Sequence, residues 1–224
     1  VVAGDALGRQ IAQVFLARAR GDHAGTAGGN PTIWTNFETL TLGMGETPWY
    51  SLEVPRRPPM LPLFSKVLPF LFDSAMIPSF RPGPPPSTNS PEFKKDADEV
   101  YNFIKNPSRE NIGIVQYWAD GVGTYTPPGH WDAIAAEDFV KKNWSEVRMA
   151  RNMALLNMAM MDAAIVCWDI KYYYFNPRPT QVEPSIKTLT GIPNFPSYVS
   201  GHSVFSGAAA TLLSYLVPEN ASKY

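Results

Sequence analysis

The chain has 224 residues, a formal net charge of −1 and 45% hydrophobic residues, which is enough for one large domain or two small ones with a sizeable core. Charged residues make up 17% and form no long basic run, which argues against a protein that binds nucleic acid through a basic surface. The single cysteine, Cys167, excludes an internal disulfide bond.

The sequence also lacks the usual targeting signals. The N-terminal residues Val1–Asp5 contain no basic segment and no long apolar segment, so we find no signal peptide in the sequence as given. No uninterrupted run of 18 apolar residues occurs, so we expect no membrane span.

The first predicted helix covers Asp5–Arg20, because apolar residues recur there on one face at Leu7, Ile11, Val14 and Phe15. Residues 31–91 then hold most of the 22 prolines, and proline shortens helices by removing a backbone donor. This stretch is also rich in aromatic residues, which are scarce in disordered segments. We therefore predict a long, ordered but irregular insertion after the first helix, with a short helix near Phe64–Phe72.

The remainder of the chain is predicted to form helices. Ser90 and Ser108 are expected to cap the starts of two helices, and a third is expected over Trp131–Asn143. The segment Glu146–Phe175 is apolar around nearly its whole circumference, which predicts a buried central helix that ends before Pro177. A last helix is expected over Ser203–Leu216. With no convincing strand, the predicted fold class is all-α, a helical bundle.

Five residues near the end of the chain carry the candidate chemistry: Lys171, Arg178, Ser200, Gly201 and His202. Lysine and arginine neutralise oxyanion oxygens, and the amides at the start of a helix attract anions. Histidine moves protons near neutral pH. Considered alone, each cation would be a solvated side chain at a helix end that interacts with the helix dipole. Ser-Gly-His alone would be an ordinary N-cap. Together they predict a site for a tetrahedral oxyanion such as phosphate or vanadate.

The order of these residues resembles the type-2 phosphatidic acid phosphatase and vanadium-dependent haloperoxidase superfamily. The resemblance rests on Lys171, on Arg178-Pro179 seven residues later, and on the Pro-Ser-x-x-Ser-Gly-His turn that ends at His202. Three further segments are similar to its bacterial haloperoxidase branch: Pro127–Trp131, Ala163–Lys171 and Phe195–Tyr198.

The resemblance implies a role for each residue. Lys171, Arg178, Ser200 and Gly201 would hold the non-bridging oxygens of vanadate or phosphate, and His202 would be the acid–base residue. Trp168 and Phe195 would form the walls of the substrate pocket. His130 and Asp169 are weaker candidates, and for each of them a structural role in a salt bridge or a turn is expected.

The superfamily's third motif supplies an arginine and a histidine that bonds to vanadium or attacks the phosphoryl group. No Arg or His follows His202 in this sequence. We therefore expect residues 1–224 to form one helical domain that is incomplete at its C-terminus, with a further segment of the same protein supplying both residues. The alternative is a degenerate domain that lacks them.

The resemblance implies vanadate-dependent oxidation of a halide by hydrogen peroxide, without redox change at vanadium. An acid phosphatase that hydrolyses phosphate esters on the same scaffold is the alternative, and the aromatic pair Trp168 and Phe195 modestly favours the peroxidase. A third possibility is a non-catalytic anion-binding or structural domain. A periplasmic or secreted location follows from the resemblance alone. The halide, the organic acceptor and whether the chain forms a homo-oligomer are left open.

Overall fold

A computed structural model describes residues 2–224, so Val1 of the N-terminal sequence lies outside the described residues. The described residues contain no strand, which confirms the all-α class. The helices are α1 Val2–Gly21, α2 Pro31–Gly43, α3 Pro91–Lys105, α4 Arg109–Trp118, α5 Thr126–Lys141, α6 Glu146–Tyr174, α7 Pro179–Val182 and α8 Gly201–Leu216. Short 3-10 helices occur at Ala24–Thr26, Phe64–Lys66, Ser74–Phe80 and Pro218–Asn220.

Side-chain caps determine where most of the longer helices begin. At the start of α2, α3, α4, α6 and α8, a polar side chain accepts a hydrogen bond from the amide three residues later. The capping residues are Asn30, Ser90, Ser108, Ser145 and Ser200. The predicted caps at Ser90 and Ser108 are confirmed.

Helix α6 is the centre of the bundle. It packs against α5 and α8, and the three helices share one apolar core. Its side chains are buried on several sides, as the apolar circumference predicts. The core residues are Trp131, Ala135, Phe139, Leu156, Met160, Ala164, Phe205, Ala209, Leu213 and Val217.

Helix α1 forms as predicted, but its apolar face is exposed. None of its residues is buried, and its large apolar side chains are all at least half exposed. Its C-terminal end is held by Arg18, whose Nη2 donates to the carbonyls of Leu68 and Pro69, each at 2.7 Å. The guanidinium also lies 3.9 Å from the ring centre of Phe70.

The Pro-rich insertion is partly helical, which corrects the prediction of an irregular segment over 31–91. Helix α2 forms because Pro31 stands at its first position, where no backbone donor is needed, and no further proline follows until Pro48. The helix predicted over Phe64–Phe72 is reduced to the 3-10 segment 64–66, because Pro69 interrupts it. Residues 44–90, which we call the wrap, have no α-helix.

The wrap is fastened to α6 by a buried carboxylate. Asp162 accepts hydrogen bonds from the amides of Phe70 at 2.7 Å and Leu71 at 2.8 Å. Its residue is 4% exposed. Since a buried carboxylate needs hydrogen-bond donors, these two amides and Asp162 depend on each other.

A second buried pair lies at the start of α5. The Nδ1 atom of His130 is 3.0 Å from Asp120 Oδ2, and the imidazole stacks on Trp118 with ring centres 4.7 Å apart. Both side chains of the pair are nearly fully buried. The structure therefore gives His130 a structural role between α4 and α5, where it pairs with Asp120, in line with the salt bridge or turn expected for it.

The last residues of the chain form hydrogen bonds to α5. Lys223 and Tyr224 donate to the carboxylate of Asp138 at 2.7 and 2.6 Å, and Asn220 donates at 3.2 Å. Burial raises the pKa of Asp138, but these three hydrogen bonds outweigh it and hold the pKa below its ordinary value. The carboxylate therefore stabilises the fold above the ordinary aspartate pKa, and this contribution is lost as the pH falls through the folded-state value.

One stretch, Glu146–Val182, is long and apolar enough to cross a membrane when judged by length and composition alone. The central helix of a protein core meets the same criterion, and α6 packs between α5 and α8. The absence of a membrane span therefore stays a prediction.

We predict that Asp162→Ala destabilises the protein by about 2–4 kcal/mol, because it leaves the amides of Phe70 and Leu71 unpaired. Urea denaturation followed by circular dichroism measures the free energy of unfolding. Glu137→Ala on α5 is the control, because Glu137 is exposed and pairs only with Lys141; it should change stability by less than about 0.5 kcal/mol. Equal effects of the two substitutions would contradict the role given to Asp162.

Candidate active site

Lys171, in the last turn of α6, is buried although it carries an ammonium group. The residue is 1% exposed. Its Nζ donates to the carbonyls of Pro196 at 3.0 Å, Ser197 at 2.8 Å and Val199 at 2.5 Å. An ammonium has three hydrogens, so the loop carbonyls engage all of them. Lys171 therefore fixes the loop that leads into α8.

Arg178, just after the end of α6, also contacts this loop. Helix α6 ends where Phe175 adopts a left-handed conformation with φ of 46°, and Pro177 prevents its continuation. The Nε atom of Arg178 donates to the carbonyl of Phe195 at 2.9 Å. Its Nη2 atom is buried and has no hydrogen-bond partner among the described residues.

The two cations meet at the ring of Phe195. Lys171 Nζ lies 5.0 Å from the ring centre, and the guanidinium carbon of Arg178 lies 4.9 Å from it. Trp168 packs on the same ring, with centroids 5.2 Å apart. The structure thus brings Trp168, Lys171 and Arg178 together around the ring of Phe195.

Neither cation has a negatively charged partner. Within residues 2–224, none of the salt bridges involves Lys171 or Arg178. Burial lowers the pKa of Lys171 to about 7, and the neighbouring charge of Arg178 acts in the same direction. Burial also lowers the pKa of Arg178, to about 10. The pair is therefore a site where an anion would be strongly stabilised.

The Ser-Gly-His turn forms the start of α8, two residues earlier than predicted. Ser200 is the N-cap and accepts a hydrogen bond from the amide of Ser203 at 3.2 Å. The next two amides, those of Gly201 and His202, are the first of the helix and have no carbonyl to bond to within it. A Cβ atom at Gly201 would meet no atom within 4 Å, so the space in front of this backbone is open.

The turn is tied to the cations through its neighbour Val199, whose carbonyl binds Lys171. The side chain of His202 is exposed, whereas Lys171 is buried and Arg178 is half-buried with its Nη2 atom enclosed. The start of α8 therefore lies next to the loop held by Lys171, with His202 on its solvent side.

The wrap contributes contacts that the sequence reasoning missed. The carbonyl of Met60 accepts hydrogen bonds from Trp168 Nε1 at 3.3 Å and from the hydroxyl of Tyr172 at 2.5 Å. The amide of Met60 donates to the carbonyl of Asn194 at 2.9 Å, and Asn194 Nδ2 donates to the carbonyl of Pro58 at 2.6 Å. No sequence signal marks these contacts, because most of the acceptors are backbone carbonyls.

Further along the wrap, Arg81 forms a two-pronged ion pair with Asp169, with nitrogen–oxygen distances of 2.6 and 3.0 Å. The salt bridge expected for Asp169 is therefore present. The hydroxyl of Tyr174 donates to the carbonyl of Pro82 at 2.6 Å, and that of Tyr198 donates to Gly83 at 2.9 Å. These contacts hold the wrap against both α6 and the Phe195–Ser200 loop.

The donor set fits a tetraoxo anion such as vanadate or phosphate. Arg178 Nη2 is a buried cationic donor without an acceptor, and buried donors of this kind are rare unless a ligand or water pairs with them. The first turn of α8 follows the loop that Lys171 holds, and its free amides are neutral donors. Lys171 adds positive charge, although its hydrogens already have acceptors.

The site lies in a part of the chain that is similar to known proteins. The PAP2 superfamily matches residues 152–224, a segment that contains every predicted site residue. The fold is similar to the crystal structure of the first bacterial vanadium-dependent iodoperoxidase, with a TM-score of 0.67 and 33% sequence identity over 75% of this chain. The chain spans 45% of the length of that protein. A comparison with curated proteins finds no significant match.

The matched segment contains both motifs, so residues 152–224 are similar to the PAP2 superfamily, and the helical fold is similar to that of the vanadium-dependent iodoperoxidase.

Proposed function

We propose that this chain is the oxyanion-binding part of a vanadium-dependent haloperoxidase, which oxidises a halide with hydrogen peroxide. The observation that carries the proposal is the convergence of Lys171 and Arg178 on Phe195 without any carboxylate partner in the described residues. A buried and a half-buried charge of the same sign are costly to keep close together unless an anion joins them. The similarity to a vanadium-dependent iodoperoxidase supports vanadate as that anion.

Each residue has a physical role in this proposal. The free Nη2 of Arg178 donates to the anion, and Lys171 stabilises the anion by its charge while it holds the loop in place. The amides of Gly201 and His202 donate along the helix axis. Vanadate, when bound, supplies a Lewis-acidic centre that activates hydrogen peroxide toward halide.

We propose that His202 moves protons between the site and solvent. It stands in the first turn of α8, and its side chain is exposed. An imidazole both accepts and donates protons near neutral pH, which suits it for peroxide chemistry. Trp168 and Phe195 exclude water from the side of the cations and so strengthen the electrostatic attraction there.

The proposal needs an arginine and a histidine that the two motifs do not include. The chain spans 45% of the iodoperoxidase's length. We propose that a segment of the same protein outside these 224 residues supplies both.

The second candidate is an acid phosphatase that acts on phosphate esters. The match to the PAP2 superfamily covers both phosphatases and peroxidases, and phosphate has nearly the same shape as vanadate. Arg178, the α8 amides and Lys171 would hold either anion. The aromatic pair Trp168 and Phe195 is why we place the peroxidase first.

The activity test uses the natural full-length protein. With orthovanadate, iodide and hydrogen peroxide, we expect triiodide to form, and removal of vanadate by dialysis should abolish it. If a generic phosphomonoester is hydrolysed instead and vanadate only inhibits, the phosphatase is the correct function. If neither reaction occurs while vanadate still binds, the domain is a non-catalytic anion-binding module.

The binding test uses the 224-residue chain. Arg178→Gln should weaken phosphate or vanadate binding by about tenfold or more, because it removes a charged donor. Arg81→Gln is the matched control, since Arg81 is a partly buried cation near the site that already pairs with Asp169; anion affinity should be unchanged. Isothermal titration calorimetry measures both variants, and an equal loss for the two would contradict the role of Arg178.

The low pKa of Lys171 predicts a pH dependence of anion binding. The free site has a Lys171 pKa of about 7, and a bound anion favours the charged form, so binding takes up a proton above that pH. The affinity for sulfate, whose charge is constant across the neutral range, should fall by about tenfold for each pH unit above about pH 8. Calorimetry in buffers of different ionisation enthalpy counts the protons.

The control for this measurement is Lys171→Met, which keeps the length of the side chain and removes its charge. The variant should bind sulfate more weakly and take up no proton above pH 8. Persistence of the same proton uptake in Lys171→Met would show that another group titrates.

A further inference from the structure

The main chain of Arg178 is bonded to Gln181, which lies in the short helix α7. The amide of Arg178 donates to Gln181 Oε1 at 3.0 Å, and the amide of Gln181 donates to the carbonyl of Arg178 at 2.9 Å. Arg178 is the N-cap of α7, and Gln181 is its third residue. A glutamine or glutamate at that position commonly bonds back to the N-cap amide. Both polar groups of the Arg178 main chain are therefore bonded to Gln181.

The prolines on either side of Arg178 explain why this acceptor matters. Pro177 and Pro179 have no amide hydrogen, so the amide of Arg178 is the one backbone donor among these three residues. The start of a helix offers this amide no internal partner, and a donor that is partly buried needs an acceptor. The side-chain oxygen of Gln181 is that acceptor.

The guanidinium of Arg178 extends from this main chain to the loop before α8. Arg178 is extended, with φ of −73° and ψ of 147°, and the rotamers open to a side chain depend on these two angles. Its Nε donates to the carbonyl of Phe195 at 2.9 Å, and the guanidinium carbon lies 4.9 Å from the Phe195 ring centre. Gln181 therefore holds Arg178 at the main chain, and Phe195 holds it at the side chain.

We propose that Gln181 is a positioning residue for anion binding and that it acts through Arg178. The inference rests on the proposed function, because it takes Arg178 to be the residue that bonds to the anion. By fixing the main chain of Arg178, Gln181 keeps Nε on Phe195 and leaves Nη2 as the unpaired donor. A donor that is already fixed loses less freedom when an anion binds, so the affinity is higher.

The positioning step is measured without any anion, by ¹H–¹⁵N NMR of the 224-residue chain. The Nε–H signal of Arg178 is the one that disappears in Arg178→Gln. We expect it to be protected from hydrogen exchange in the parent and to exchange about tenfold faster in Gln181→Met, which keeps the side-chain length and removes the acceptor oxygen. The Nε–H of Arg81 is the internal control, since it donates to Asp169 and should exchange at the same rate in both proteins.

Two results of this NMR measurement would overturn the inference. One is an unchanged exchange rate of the Arg178 Nε–H in Gln181→Met. The other needs no variant: in the parent, unprotected signals of the Arg178 main-chain amide and Nε–H would show that neither hydrogen bond holds the residue.

Anion affinity tests whether Gln181 acts through Arg178. Calorimetry with sulfate should show about fivefold weaker binding by Gln181→Met than by the parent. In the Arg178→Gln background, the same substitution should cause no further loss, because the residue that it positions is gone. A further fivefold loss in that background would mean that Gln181 affects the site by another route, which contradicts the inference.

Thr180→Val is the matched control on the same short helix. The Thr180 hydroxyl is enclosed and has no hydrogen-bond partner among the described residues, and valine has nearly the same shape. Both the Arg178 Nε–H exchange and the sulfate affinity should equal those of the parent. A loss as large as that of Gln181→Met would attribute the effect to α7 as a whole and overturn the specific role of Gln181.

The inference and the proposed function fail separately. If Gln181→Met releases the Arg178 Nε–H but the parent binds neither sulfate nor vanadate, the anion site is wrong and the positioning of Arg178 stands. If the parent binds anions and Gln181→Met matches it in both measurements, the positioning role is wrong and the anion site stands.

Discussion

The structure around the site depends on a buried ammonium group. Lys171 is removed from water at the end of α6, and such a charge is tolerated only when hydrogen-bond acceptors replace its hydration. The carbonyls of Pro196, Ser197 and Val199 are those acceptors. Because their positions are set by one nitrogen atom, the loop before α8 has little freedom, and the first turn of α8 is placed beside the end of α6.

The wrap follows from the same helix. A segment with many prolines cannot satisfy its own backbone through regular structure, so its amides and carbonyls need partners elsewhere. Helix α6 supplies them in sequence, from Asp162 through Trp168 and Tyr172 to Tyr174. The face of α6 that binds the wrap therefore leads to the turn that carries Lys171. The contacts that fasten the wrap to α6 therefore also enclose the cations.

The amino-acid sequence predicts the parts of this arrangement that depend on residue identity. The residue types alone predict the serine caps, the apolar circumference of α6 and the break at Pro177. The all-α class follows from these three features. Helix α2 was missed because the proline content of its neighbourhood outweighed the position of Pro31 at the first turn. The partners of Lys171 and Asn194 could not be predicted, because they are backbone carbonyls, which every residue carries.

In the proposed site, the two cations would contribute to anion binding in different ways. Lys171 has no free hydrogen, so it acts on an anion through its charge and through the loop that it holds. Arg178 keeps one buried donor free and can bond to the anion directly. Phosphate and vanadate present the same oxygens to such a pair, so neither cation distinguishes hydrolysis from halide oxidation. That choice has to come from groups at the apical oxygen, where His202 and the residues of the third motif would act.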